Sequence, residues 1–141
     1  MRLRLRVPPD PRLGAYIRQE VMSYADSHGL ERRDVDDFVV AIGEAFANAI
    51  EHARTREPIE ISAWLLDEDH LFASVCDHGI GFVPAEQALP EGYAERGRGL
   101  PIMRRCADVL RVHSAPGRGT RITLGRYVRR VDARTSSIIA G

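Results

Sequence analysis

Glu44 and Asn48 are the residues whose types and spacing first suggest chemistry. They lie within Asp34 to Ala53 (DVDDFVVAIGEAFANAIEHA), one helical turn apart, with His52 one turn further on, so a carboxylate and an amide project from one stripe. Asn is a poor residue for a helix interior. Glu44, Asn48 and Glu51 also sit among Ala41, Ala45, Ala47 and Ala49, which leave room for something to lie against the helix. Asn48 and phosphate oxygens could share a Mg2+ ion, which prefers oxygen ligands and keeps several waters. Glu44 could orient or deprotonate a hydroxyl.

Two glycine-containing stretches supply what such a pair needs to handle a nucleotide. In DHGIGF, Asp77 ends a strand and is followed by Gly79 and Gly81. A carboxylate there can accept a hydrogen bond from an exocyclic amine, and the glycines let backbone approach a ring. In GRGLPIM, Gly97 and Gly99 precede a helix that starts near Leu100, so their amides and the helix N-terminus can face an anion, with Arg96 and Arg98 adding charge. Taken singly, each stretch reads equally as a turn or hinge. Gly119 and Thr120 open the last strand as an ordinary hairpin turn would.

The elements that must position these residues follow from periodicity. Val35, Phe38, Val39, Ile42, Phe46, Ala49, Ile50 and Ala53 share one face of the central helix, the signature of core packing. Before it, Leu3, Leu5 and Val7 alternate with Arg2, Arg4 and Arg6 as a half-buried strand. A helix then follows, capped by Asp10, with Pro11 at its first position, an apolar stripe of Leu13, Tyr16, Ile17, Val21 and Tyr24, and its end near Gly29. After it, Pro58 to Leu66 and Leu71 to Asp77 form a hairpin across Asp67, Glu68 and Asp69. The polar stretch from Phe82 to Arg96 reads as a mobile loop of the kind that makes ligand lids. Ile102, Met103, Cys106, Val109 and Leu110 mark a short helix. Val112 and Ser114 lie in a strand, Pro116 to Gly119 turns, and Ile122, Leu124 and Val128 alternate along a last strand. The expected fold is α+β, a two-layer α/β sandwich whose mixed, mainly antiparallel sheet is covered by helices. Residues 1–130 are expected to form a single domain and 131–141 a flexible tail.

Composition narrows the function. The chain of 141 residues has 20 basic and 20 acidic side chains and a formal net charge of zero, which argues against nucleic acid as a direct partner. Every basic residue is arginine. This excludes a P-loop, the lysine-dependent site of ordinary protein kinases, and Schiff-base chemistry, each of which needs an ammonium group. Cys76 and Cys106 are too few and too distant in sequence for a metal knuckle or a redox pair, and both are expected to be small buried residues. With no long apolar run and no signal-like start, the protein is expected to be soluble and cytoplasmic, with no membrane association.

In this order, the three stretches resemble the asparagine box and two glycine boxes of the GHKL (Bergerat-fold) ATPases, over about Val7 to Val128. Within that superfamily, the glutamate four residues before the box asparagine, the EH after it and the short lid look like the bacterial anti-sigma factor serine kinases of RsbW type. The resemblance implies ATP and Mg2+ as cofactors, Glu44 as general base, Asn48 as Mg2+ ligand and Asp77 as adenine reader. It further implies Gly79 and Gly81 as the adenine floor, Gly97, Gly99 and Leu100 as the phosphate cradle, and Thr120 as support on the adenine side. Such proteins usually form homodimers, bind a sigma factor, and phosphorylate a serine on a STAS-domain anti-anti-sigma protein. GLPIM, with Pro101, also looks like the switch kinases that act on stressosome STAS proteins without binding sigma. A non-catalytic nucleotide-gated binding module and the ATP-binding half of a split histidine kinase are further alternatives.

Overall fold

A computed structural model describes residues 1–81 and 99–131, with backbone only for residues 99–101. The expected lid and the tail from residue 132 lie outside the described residues. The strand Leu3–Val7 (β1) runs into a 3-10 turn, Pro11–Leu13, followed by helices Gly14–Ser27 (α1) and Arg32–Ala53 (α2). Strands Ile59–Leu66 (β2) and His70–Asp77 (β3) come next. Helix Gly99–Cys106 (α3) and strands Val109–Ser114 (β4) and Thr120–Tyr127 (β5) complete the order. The five strands pair β1-β2-β3-β5-β4, and all four pairings are antiparallel, the limiting case of the expected sheet.

The core lies between one sheet face and the helices, with α2 laid against β3 and β5 and flanked by α1 and α3. Strand alternation sends Ile59, Ile61 and Ala63, Leu71, Ala73 and Val75, and Ile122 and Leu124 inward. They meet Ile17 and Val21 of α1, Phe38, Ile42 and Phe46 of α2, and Met103 of α3. Each of the larger of these side chains, from Val to Phe, contributes roughly 1.5–3 kcal/mol by leaving water.

Four details differ from the sequence-based expectation. Asp10 does cap, accepting from the Arg12 amide at 2.9 Å, but the segment it caps is the 3-10 turn and the α-helix proper begins at Gly14. Tyr16 is exposed, because the buried stripe of α1 runs Ile17, Val21, Tyr24 and leaves its neighbour one step round the helix. Val109 and Leu110 belong to β4, not to α3: the Asp108 amide donates to the Gly125 carbonyl, and Val109 and Leu110 pair with Gly125 and Leu124. Cys76 is half-buried, since it alternates with buried Val75 and Asp77 and so takes the other face of β3; Cys106 is also half-buried.

That other face carries no helix among the described residues. One cross-strand row on it runs Arg6, Glu60, Cys76, Arg121, His113, each opposite the next. Nearer the β2–β3 turn, Trp64 stacks on Phe72 at 5.7 Å, with the Arg2 guanidinium 4.4 Å above the indole.

Candidate functional site

The inward face of β3 ends on a carboxylate rather than an apolar side chain. Asp77 is 3% exposed and directly opposite Thr120, the first residue of β5. Its Oδ1 accepts from the Gly79 amide at 2.9 Å and from the Thr120 amide at 3.2 Å. Thr120 Oγ1 in turn shares a 2.8 Å hydrogen bond with Ser114 Oγ, which ties β4 into the same corner. Burial pushes the Asp77 carboxyl above its ordinary value; the two backbone donors and the charges of His78 and His52 oppose that rise without cancelling it. Among the described residues no donor reaches Oδ2.

The glycines after Asp77 are required by neighbouring backbone. A Cβ on Gly79 would land on the Ala53 carbonyl oxygen at the end of α2, the same oxygen that accepts from the Ile80 amide. Gly81 has φ +62° and its Cβ would meet the Ala115 carbonyl, while Gly119 has φ +78° and its Cβ would meet the Asp77 carbonyl. The Gly117 amide donates to the Ile80 carbonyl at 2.7 Å. The DHGIG segment is thus wedged between the α2 C-terminus and the β4–β5 turn. The sequence-based reason for these glycines, close approach to a ligand, is joined by close approach of chain to chain.

Glu44, Asn48 and His52 are half-buried on α2 and form the expected stripe. His52 is near enough to influence the Asp77 carboxyl electrostatically, so the stripe runs toward that corner. Glu44 also lines a groove of about 270 Å3 with Pro11, Gly14, Arg18, Val40 and Ala47. Arg18 was not singled out in the sequence; its side chain lies over Gly43, one residue before Glu44. One expectation fails here. Ala41, Ala45 and Ala49 are buried in the core, and only Ala47 is exposed, so most of the small residues let α2 settle onto its neighbours instead of making room for a ligand. Ser114 is read from the sequence only as a strand residue, because a serine in an alternating strand carries no signal of its hydrogen bond to Thr120.

Of the remaining predicted residues, Gly99 is the first residue of α3 and Leu100 the second, which puts that helix N-terminus where the sequence expects it. Arg96, Gly97 and Arg98 lie outside the described residues. A second concavity, about 490 Å3, opens on the sheet side away from the described helices and is lined by Cys76, His113, Ser114, Arg118, Thr120 and Arg121. Glu44 and Asn48 are on the helix layer, so it is not where that pair could act.

A helix bearing a Glu-Asn pair, laid on an antiparallel sheet whose third strand ends in a buried aspartate and a glycine turn, defines a class, and comparison places the chain in it. The sequence profile described as Histidine kinase-like ATPase domain matches residues 7–126, and the chain belongs to that family. Its relatives include an anti-sigma F factor of Clostridium acetobutylicum, 30% identical over 117 residues, covering 78% of this chain and 82% of the relative. A serine-protein kinase RsbW of Bacillus cereus is 26% identical over 140 residues, covering 92% and 86%. Among solved structures, the RsbU and RsbW domains of a Mycobacterium tuberculosis protein align with TM-score 0.72 at 22% identity over 93% of this chain, and this chain spans 33% of that longer one. Among the described residues, no helix is long and apolar enough to cross a membrane.

Proposed function

We propose that this chain is a Mg2+-ATP-dependent protein serine kinase and anti-sigma factor, acting on a serine of a STAS-domain anti-anti-sigma protein and working as a homodimer. The observation that carries the reading is Asp77, a buried carboxylate with one oxygen committed to backbone amides, whose glycine turn packs against the C-terminal end of the helix that bears Glu44, Asn48 and His52. Support for the partners comes from relatives named anti-sigma F factor and serine-protein kinase RsbW.

Asp77 accepts the adenine amine, with Thr120 fixing the carboxylate and Gly79 and Gly81 keeping the loop close beneath. The α3 N-terminus at Gly99 and Leu100, with Arg96, Gly97 and Arg98, receives the phosphates. The oxygen donors on α2 fit Mg2+, which Asn48 would hold with phosphate oxygens and which would neutralise charge on the transferring group. Glu44 accepts the proton of the serine hydroxyl as its oxygen bonds to the γ-phosphorus and the bond to the bridging oxygen of ADP breaks. No lysine is needed, because positioning and charge neutralisation supply most of the catalysis.

The test is transfer from γ-labelled ATP, with Mg2+, to STAS-domain proteins of the same genome. Label should appear on a partner serine and vanish with Glu44→Ala while that variant still binds ATP. Loss of ATP binding in Glu44→Ala would remove the base assignment, and ATP binding with no labelled partner would replace the kinase with a nucleotide-gated sequestering module.

A further inference from the structure

Three metal-ligating side chains of different chemistry converge on the face of the sheet opposite the described helices. Glu60 on β2 and Cys76 on β3 are direct cross-strand partners. His78, just past the end of β3, brings Nε2 to 3.6 Å from Glu60 Oε2. One ligand atom from each of Glu60, Cys76 and His78 lies within 4.8 Å of the other two. A tetrahedral Zn2+ with bonds of about 2.0–2.3 Å needs its ligand atoms roughly 3.5 Å apart. The remaining gap is of the size that side-chain rotation can close, and the His78 and Glu60 side chains are 44% and 48% exposed.

The geometry points to a site for a thiophilic divalent cation of the Zn2+ class, bound by Cys76 Sγ, a His78 ring nitrogen and the Glu60 carboxylate, with a fourth position open to water. An exposed Glu–His pair would by itself contribute little to stability, whereas thiolate, imidazole and carboxylate are each established ligands for zinc. Thiolate and carboxylate offset the double charge of the ion. Arg6 opposite Glu60 and Arg121 opposite Cys76 work against a hard cation held by carboxylate alone, so a soft ligand decides the selectivity. Access is open, because Cys76 also lines the concavity of about 490 Å3. None of the three ligands has a part in the proposed phosphoryl transfer.

The experiment is a Co2+ titration of the full chain, followed by the thiolate-to-cobalt band in the near ultraviolet, with Zn2+ affinity measured by competition with a chromophoric chelator. Wild type and Cys106→Ser should bind one equivalent and show the band. Cys76→Ser should lose it, and His78→Asn and Glu60→Gln should each weaken Zn2+ binding at least about tenfold, the lower end of what losing even a supporting partner costs. His78 and Glu60 are exposed, so those two variants decide the matter even where Cys76→Ser perturbs the fold. Absence of the band in wild type, its loss in Cys106→Ser, or affinity indifferent to both His78→Asn and Glu60→Gln would overturn the site.

Discussion

Two buried aspartates engage the two ends of β5 and are held in opposite ways. Asp34, on the first turn of α2, takes the chain just past the strand: it accepts from the Arg129 amide at 2.8 Å and from Nε and Nη2 of the same residue at 3.1 and 3.0 Å. Asp77 takes the first residue of the strand and, among the described residues, is held by backbone amides only. The Arg129 hydrogen bonds hold the Asp34 carboxyl below its ordinary value, while burial lifts that of Asp77 above it. A carboxylate given a guanidinium is satisfied and structural. One to which the described residues give amides alone, all on a single oxygen, keeps capacity for a further donor, which is the pattern expected of a binding residue.

That contrast can be broken at several points. The largest effect should come from Gly119→Ala, which forces a Cβ onto the Asp77 carbonyl in a left-handed backbone and should destabilise the fold by about 3 kcal/mol in denaturant titration. A loss below about 1 kcal/mol would mean that the Asp77 corner yields easily. Next, Asp34→Ala should cost about 2 kcal/mol, less than a fully buried pair because the Arg129 side chain is 59% exposed. A double-mutant cycle with Arg129→Ala should show strong non-additivity. The smallest effect on stability, within about 1 kcal/mol, belongs to Asp77→Asn, which should instead weaken adenosine-nucleotide binding. A large stability loss there would make Asp77 a second structural clasp.

Acid titration separates the same two residues. The folded value of Asp34 is depressed, so its stabilisation is full above the unfolded value near 3.8 and is lost as pH falls through the folded one. Asp77 is raised, so the fold binds its proton more tightly than the unfolded chain does, and stability declines as pH climbs from about 3.8 through the folded value. Asp34→Asn should therefore flatten the acid limb of a stability profile, and Asp77→Asn should remove the decline.

Much of this was legible in the sequence for definite reasons. The face of α2 and the alternation of β2, β3 and β5 are read directly from periods of 3.6 and 2, and Asp77 and Thr120 were placed because strand ends and glycine turns have local signatures. The boundary after Cys106 was misplaced because Val109 and Leu110 continue an i, i+3 apolar pattern that only pairing with β5 overrides. Whether a small residue on α2 meets a ligand or another helix is decided by neighbours, as the burial of Ala41, Ala45 and Ala49 shows. The Asp34–Arg129 clasp joins residues 95 apart and leaves no local trace.

The hydrogen bond from the Thr120 amide to Asp77 spans 43 residues, whereas the bond from Gly79 spans two. During synthesis, α2 and β3 are complete long before Thr120 exists, and closing that distance has an entropic cost that only the β3–β5 pairing can repay. The corner around Asp77 is therefore among the later parts of the molecule to form, and a chain that stops short of β5 keeps the aspartate but lacks the geometry that gives it a use.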